Sequence, residues 1–178
     1  VLTGRATGVP GAMAVLGVRE HCVLGLPDGA LAEHDDTGVA WVRHLLDDVR
    51  PDTILTFGPD GMTDHAAHKD VSSWATKALD EAGKRGSRVL YATVTPEWAA
   101  EILPVWEPFN VFRPGTPPIT PREELAVYYE LPADILDLKV RAINAHVSQV
   151  EAILDAVGPE LWWKQMSIEA FRPGQERS

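Results

Sequence analysis

The feature that most constrains the fold is an alternation of two hydrophobic patterns in the first half of the chain. Short apolar and β-branched runs occupy residues 20–26, 53–57 and 88–94. Between them, residues 37–49 and 71–82 carry apolar side chains at three- and four-residue spacing, as on one face of a helix. Alternating strands and helices are typical of a mostly parallel sheet with helices on both faces. The sequence therefore predicts an α/β fold.

The structure of the remaining residues is predicted from their proline and glycine content and from one more amphipathic helical pattern. Residues 96–132 are rich in proline, which favours loops and short edge strands and suggests a binding lid or rim. An apolar stripe predicts one helix over 132–157, ended by Gly158 and Pro159. Residues 4–11 contain three glycines and a proline, so no helix is expected there.

Composition limits the classes of partner. The 178 residues suffice for one domain, and the formal net charge of −10 argues against nucleic-acid binding. No apolar run approaches the roughly 18 residues that cross a bilayer. The one cysteine, Cys22, rules out an internal disulfide or a cysteine-built zinc site and is expected to be buried. These observations favour a cytoplasmic protein with a small-molecule partner.

The loop after the 53–57 strand is the main candidate for chemistry. It reads Gly-Pro-Asp-Gly over 58–61 and then places His65 and His68 three residues apart, before a helix expected to begin near Asp70. Ligands bind outside the carboxyl ends of parallel strands, and neutral imidazole is a common metal ligand. Without other context, a pair of solvated loop histidines is the commoner interpretation.

The context is a set of motifs in a fixed order. Residues 56–61, followed by His-x-x-His, resemble the LmbE-like family of de-N-acetylases, which includes the PIG-L enzymes. That family typically has Thr-Phe-Gly-Pro-Asp-Gly and then Gly-His-Pro-Asp-His, whereas this chain has Ala66 and Ala67 between its histidines. Further similar pieces are Leu16-Gly17-Val18, residues 24–29, Lys139 with residues 145–149, and Glu169-Ala170-Phe171.

The resemblance implies a Rossmann-like α/β domain with the LmbE-like deacetylase fold. It also implies hydrolysis of an N-acetyl group from an N-acetylglucosamine-type or related acetamido substrate, with zinc or another divalent metal. By position, His68 becomes a metal ligand, and His65 stabilises the oxyanion or protonates the leaving amine. Asp60 is a candidate for substrate binding or for supporting the metal, with turn capping equally open. His146 is a candidate for substrate binding, although a hydrogen-bonded, half-buried histidine is at least as common.

One part of the family pattern has no counterpart. The family carries two metal ligands and its general base in an Ala-His-Pro-Asp-Asp-Glu segment, and no such segment occurs here. Its nearest imitation, residues 34–36, is interpreted as a solvated loop and helix-cap cluster. We therefore expect residues 1–178 to be a single LmbE-like domain truncated at its N-terminus, with the first strand and metal loop before residue 1. The 178 residues alone are expected to be inactive, because one ligand cannot hold a catalytic zinc.

Two other classes of function are considered. A degenerate family member would keep the fold and act as a non-catalytic sugar- or ligand-binding protein. A nucleotide-binding module is disfavoured, because no Gly-x-Gly-x-x-Gly follows a strand. The expected partner is a small acetamido sugar, with no nucleic acid and no membrane, and a homo-oligomer is left open.

Overall fold

The elements alternate along the chain much as the hydrophobic patterns predict. The structure is a computed structural model that describes residues 5–27, 29–113 and 115–177. Its helices are α1 Arg5–Leu16, α2 Asp35–Val49, α3 Gly61–Asp64, α4 Ala66–Ala82, α5 Pro96–Trp106, α6 Ala133–Asn144, α7 Val147–Val157 and α8 Pro159–Met166. Its strands are β1 Thr53–Thr56, β2 Arg88–Ala92, β3 Val127–Glu130 and β4 Ile168–Glu176. The motif residues 1–3 and Asp28, and the side chains of Ser148 and Gln149, lie outside the described part.

The described strands form one open sheet in the order β1-β2-β4-β3. β1 and β2 are parallel, with Thr53 opposite Arg88 and Thr56 opposite Tyr91, and the chain between them contains α3 and α4. β4 then joins β2 in the antiparallel direction. The predicted α/β class is confirmed, and the parallel pairing of β1 with β2 lies where the strand–helix–strand pattern over residues 53–94 placed it.

The described chain divides into two compact units. The larger unit comprises Leu24–Tyr128 and Ala170–Ser178, and the smaller unit comprises Val1–Val23 and Tyr129–Glu169. The prediction of a single domain stays a prediction. Within the described ranges, none of the helices is both long enough and apolar enough to cross a membrane.

The core of the larger unit lies between α2 and α4. Val39, Leu46, Trp74 and Ala78 are buried together, and the predicted apolar faces of both helices supply them. Gly38 permits this close packing, because a Cβ there would lie 2.2 Å from the Trp74 ring. The core therefore holds α4, and the loop that precedes it, against the rest of the unit.

Residues 20–26 do not form the predicted strand. Leu24 and Leu26 pack against the α2–α4 core instead, and Val23 is 73% exposed. The apolar run thus packs against α2 and α4, and it pairs with no strand within the described residues. The expectation of a buried Cys22 is also wrong, since its side chain is exposed.

The glycine-rich start of the chain is helical, contrary to expectation. α1 runs through Pro10 and Gly11, and its Ala12 is buried in the smaller unit. A Cβ on Gly11 would lie 3.3 Å from the Ala145 Cβ, so the small residue permits close packing. Tertiary contacts between α1 and α6 here outweigh poor helix propensity.

The predicted helix over 132–157 is two helices. α6 ends at Asn144, α7 begins at Val147, and His146 between them has φ −88° and ψ 51°. The His146 N–H donates to the Ile143 carbonyl at 2.9 Å, a tight turn that ends α6. Placing His146 within a continuous helix is therefore wrong. The predicted end at Gly158 is confirmed, with φ 77° there.

The proline-rich region is only partly irregular. Pro96 is a first-turn residue of α5, and the Thr95 hydroxyl caps that helix by accepting from the Trp98 N–H at 3.3 Å. Proline is well suited to this position because the first helical amides lack partners. Loops and the edge strand β3 occupy much of the remainder, as predicted.

Candidate functional site

The loop between β1 and α4, together with the first turn of α4, carries three of the four predicted site residues. It leaves the carboxyl end of β1, forms the short turn α3 and reaches His65 at the N-cap of α4. His68 lies in the first turn of α4, because this helix begins at Ala66 and not near Asp70 as predicted. The predicted position of the loop at a strand end is confirmed.

The ring of His68 is fixed from two sides. Its Nδ1 atom lies 2.9 Å from the Gly61 carbonyl oxygen, and its ring stacks on Phe57 with 3.8 Å between centroids and 6° between planes. Because a carbonyl only accepts, this bond requires a proton on Nδ1, and in the neutral ring the lone pair of Nε2 is then free. Metal-bound histidines commonly donate their second N–H to a carbonyl in this way. His68 is therefore oriented as a ligand would be.

Gly61 supplies the carbonyl that orients His68. Its φ is +71°, and a Cβ there would lie 2.9 Å from Cγ of Lys69. Met62 and Asp64 also have φ of 61°, an uncommon conformation for residues with a side chain. Such strained backbone often occurs at functional sites, where the surrounding contacts hold it.

Asp60 uses both carboxylate oxygens within the protein. Oδ1 accepts from the Met62 N–H at 2.8 Å, and Oδ2 pairs with Nη2 of Arg172 at 2.6 Å. The turn-capping interpretation is thus seen directly, whereas substrate binding by Asp60 stays a prediction. Sequence reasoning missed Arg172, although it directly follows the Glu169-Ala170-Phe171 motif piece.

His65 presents an exposed ring beside His68. Their ring centroids are 4.9 Å apart, with 38° between the planes. The His65 carbonyl accepts the amide protons of His68 and Lys69, at 3.1 and 3.2 Å. Its backbone therefore starts α4, while its ring lies on the solvent side of the predicted ligand.

Asp64 lies between two cations at the end of the loop. Its carboxylate contacts the Lys69 ammonium and Nη1 of Arg113, the latter at 2.9 Å. The hydrogen bond from Lys69, assisted by Arg113, lowers the pKa of the Asp64 carboxyl. Asp64 is therefore ionised at neutral pH and directed at these cations.

His146 belongs to the smaller unit, at the non-helical junction between α6 and α7. It is half-buried, and its part in substrate binding stays a prediction. Two other motif residues of that unit form a pair, since Lys139 Nζ lies 2.7 Å from Oε1 of Glu169. The motif pieces around 139 and 169 are thus brought together by the fold.

A catalytic metal requires more donors than the described residues bring together. His68 fits as one ligand, because its ring is held and its Nε2 is free to bind a metal in the neutral form. Across the described ranges, no group of three or more His, Cys, Asp or Glu side chains lies close enough to bind a metal ion. A catalytic zinc typically takes about three protein ligands. Among the described residues, His68 therefore stays a predicted ligand of such a site, without the partners that a catalytic zinc needs.

These features define an α/β protein with an oriented imidazole at the carboxyl end of a parallel strand. The PIG-L family model, described as GlcNAc-PI de-N-acetylase, matches residues 5–79. The resemblance drawn from the motifs is confirmed over these residues, and the chain is similar to this LmbE-like, PIG-L family.

The similar curated proteins share one name. A 1D-myo-inositol 2-acetamido-2-deoxy-alpha-D-glucopyranoside deacetylase of Saccharomonospora viridis is 29% identical over 174 residues, covering 82% of this chain and 60% of the relative. The protein of the same name from Rhodococcus jostii is 28% identical over 129 residues, covering 65% of this chain and 44% of the relative. The chain thus spans roughly half the length of the curated relatives it matches.

Proposed function

We propose that the complete protein is a zinc-dependent hydrolase that removes the N-acetyl group from an N-acetylglucosamine-type or related acetamido sugar. The family match and the names of the relatives support a de-N-acetylase. The observation that carries the metal-dependent part is the bond from His68 Nδ1 to the Gly61 carbonyl. It leaves Nε2 as a lone-pair donor at the end of β1.

The proposed roles follow from the positions of the two rings. His68 holds the metal through Nε2, with other ligands completing the site. Zinc, or another divalent ion, supplies polarisation of the amide carbonyl and a bound water of lowered pKa when present. The exposed His65 ring donates a hydrogen bond to the carbonyl oxygen as negative charge develops, or gives its proton to the leaving amine.

The proposal extends to partners and place. The substrate is a small acetamido sugar, and the net charge of −10 supports a partner other than nucleic acid. The single cysteine supports a cytoplasmic location. Asp60 and His146 are proposed to contact the sugar in the complete site.

A second candidate is a non-catalytic sugar-binding protein of the same family. The residues Ala66 and Ala67 favour it, because they replace the Pro-Asp that the family typically places between its two histidines. Among the described residues, His68 is the one oriented ligand, and no group of three or more His, Cys, Asp or Glu side chains could hold a metal ion.

The test measures zinc content and acetate release by the complete protein with an N-acetylglucosamine compound. We expect His68→Ala to lose more zinc affinity than the about 10- to 100-fold typical of a residue that only supports a ligand. His44→Ala, an exposed substitution on α2, is the matched control and should retain zinc. His65→Ala should keep zinc and lose rate. Unchanged zinc in His68→Ala contradicts the ligand assignment, and sugar binding without acetate release supports the second candidate.

A further inference from the structure

Arg172 reaches from β4 to the loop that carries the histidines. Its Nη2 pairs with Asp60 Oδ2 at 2.6 Å, and its guanidinium carbon lies 5.4 Å from the centre of the Tyr91 ring. The side chain is 27% exposed, so the pair is shielded from solvent more than most surface pairs. Arg172 therefore fixes the Asp60 carboxylate from β4, which is separated from β1 by β2 in the sheet.

Asp60 in turn binds the peptide group between Gly61 and Met62. Its Oδ1 accepts from the Met62 N–H at 2.8 Å, and the carbonyl of the same peptide, from Gly61, accepts from His68 Nδ1 at 2.9 Å. The peptide is planar, so its N–H and C=O point in opposite directions. A flip of this plane would break both hydrogen bonds together.

Gly58 provides the space for this arrangement. A Cβ at residue 58 would lie 2.5 Å from Asp60 Oδ2 and 2.7 Å from Arg172 Nη2. Both contacts are shorter than a carbon and a polar atom tolerate. The glycine thus admits the ion pair across the loop, and the substitution Gly58→Ala would push the two groups apart.

We propose that Arg172 and Asp60 are positioning residues that hold the Gly61–Met62 peptide and thereby keep His68 as its Nδ1–H tautomer. In this arrangement Nε2 carries the lone pair. The functional significance of this tautomer rests on the proposed function, in which Nε2 binds the metal. It gives Asp60 a role that needs no contact with substrate.

The test reads the tautomer directly in the metal-free protein. Nitrogen-15 NMR of labelled histidine distinguishes a protonated from an unprotonated ring nitrogen, at a pH well above the ordinary histidine pKa of about 6.5. The signals that disappear in His68→Ala identify the residue. We expect wild-type His68 to show a protonated Nδ1 and an unprotonated Nε2.

The variants remove, one at a time, the contacts that link Arg172 to His68. Arg172→Gln and Asp60→Asn should each allow the His68 ring to exchange between its two tautomers. Arg172→Lys keeps the charge and should retain part of the preference for the Nδ1–H tautomer. The double variant should change the spectrum no further than either single variant, because both act through one contact. Arg43→Gln is the matched control, since it removes an Arg–Glu pair of 3.1 Å on α2 and α4.

In the complete protein, the same two single variants should weaken zinc binding by about 10- to 100-fold without removing a ligand. Gly58→Ala provides an independent test if Arg172→Gln does not fold. A wild-type His68 protonated on Nε2, or a tautomer unchanged by both Asp60→Asn and Gly58→Ala, overturns the inference. Failure of the proposed hydrolysis leaves the metal-free tautomer result intact, so the two failures are distinguishable.

Discussion

The two ends of the histidine loop are each held by an aspartate paired with an arginine, but in different surroundings. At the entry, Asp60 pairs with Arg172, and the two side chains are 24% and 27% exposed. At the exit, Asp64 pairs with Arg113, whose side chain is 69% exposed. The same ion-pair chemistry is thus used once in a shielded setting and once close to solvent.

The difference lies in what each aspartate connects to. Asp60 also accepts a backbone N–H, and through one peptide group it affects the ring of His68. Asp64 contacts Arg113 and the Lys69 ammonium, which are side chains 69% and 42% exposed. We therefore expect an ion pair to influence the site through the backbone that it fixes more than through its charge. Three substitutions test this.

The largest effect is expected for Asp60→Ala. It removes a cap and leaves the half-buried Arg172 without its carboxylate, which should lower the free energy of unfolding by about 2–3 kcal/mol. Urea unfolding of the metal-free chain measures this. A smaller loss of unfolding free energy in Asp60→Ala than in Asp64→Ala would contradict this expectation, because the exposed pair would then contribute more to stability.

A smaller effect is expected for Gly61→Ala, which alters the backbone and leaves both ion pairs in place. The positive φ should cost about 1–2 kcal/mol, and the Cβ contact with Lys69 adds to it. Gly115→Ala is the matched control, since its φ is +86° and a Cβ there meets nothing within 4 Å. Equal losses in the two variants would show that close packing at Gly61 contributes nothing.

The smallest effect is expected at the exit, where Lys69→Gln should lower the free energy of unfolding less than Gly61→Ala does, and the loss should shrink in salt. Because the pKa of Asp64 is lowered from 3.8, its pairing stabilises the protein above that value. This contribution is lost as the pH falls through the lowered pKa of the folded state. Wild type and Lys69→Gln should therefore converge in stability at strongly acidic pH. A difference that persists there, or that grows with salt, would rule out this ionic explanation.

Local pattern was enough to predict much of the fold and the place of the site. β1, β2 and the apolar faces of α2 and α4 follow from spacing alone, and the histidine loop follows from its position after β1. These features depend on residues that are neighbours in sequence. Their prediction needed no knowledge of long-range contacts.

What could not be predicted depends on residues that are distant in sequence. The Asp60–Arg172 pair joins positions 112 residues apart, which no local pattern reveals. Residues 20–26 look like a strand, but strand formation requires a neighbour that the run itself does not specify. α1 forms despite its glycines because packing near Ala145 favours it. In each case a tertiary contact decides between local alternatives.

The stack of Phe57 on His68 also has a magnetic consequence. An aromatic ring lying 3.8 Å above another at 6° places that neighbour within its shielding cone. The carbon-bound ring protons of His68 should therefore resonate upfield of those of the exposed His65. This ring-current shift makes His68 recognisable in a one-dimensional proton spectrum, and its disappearance in Phe57→Leu would report the loss of the stack.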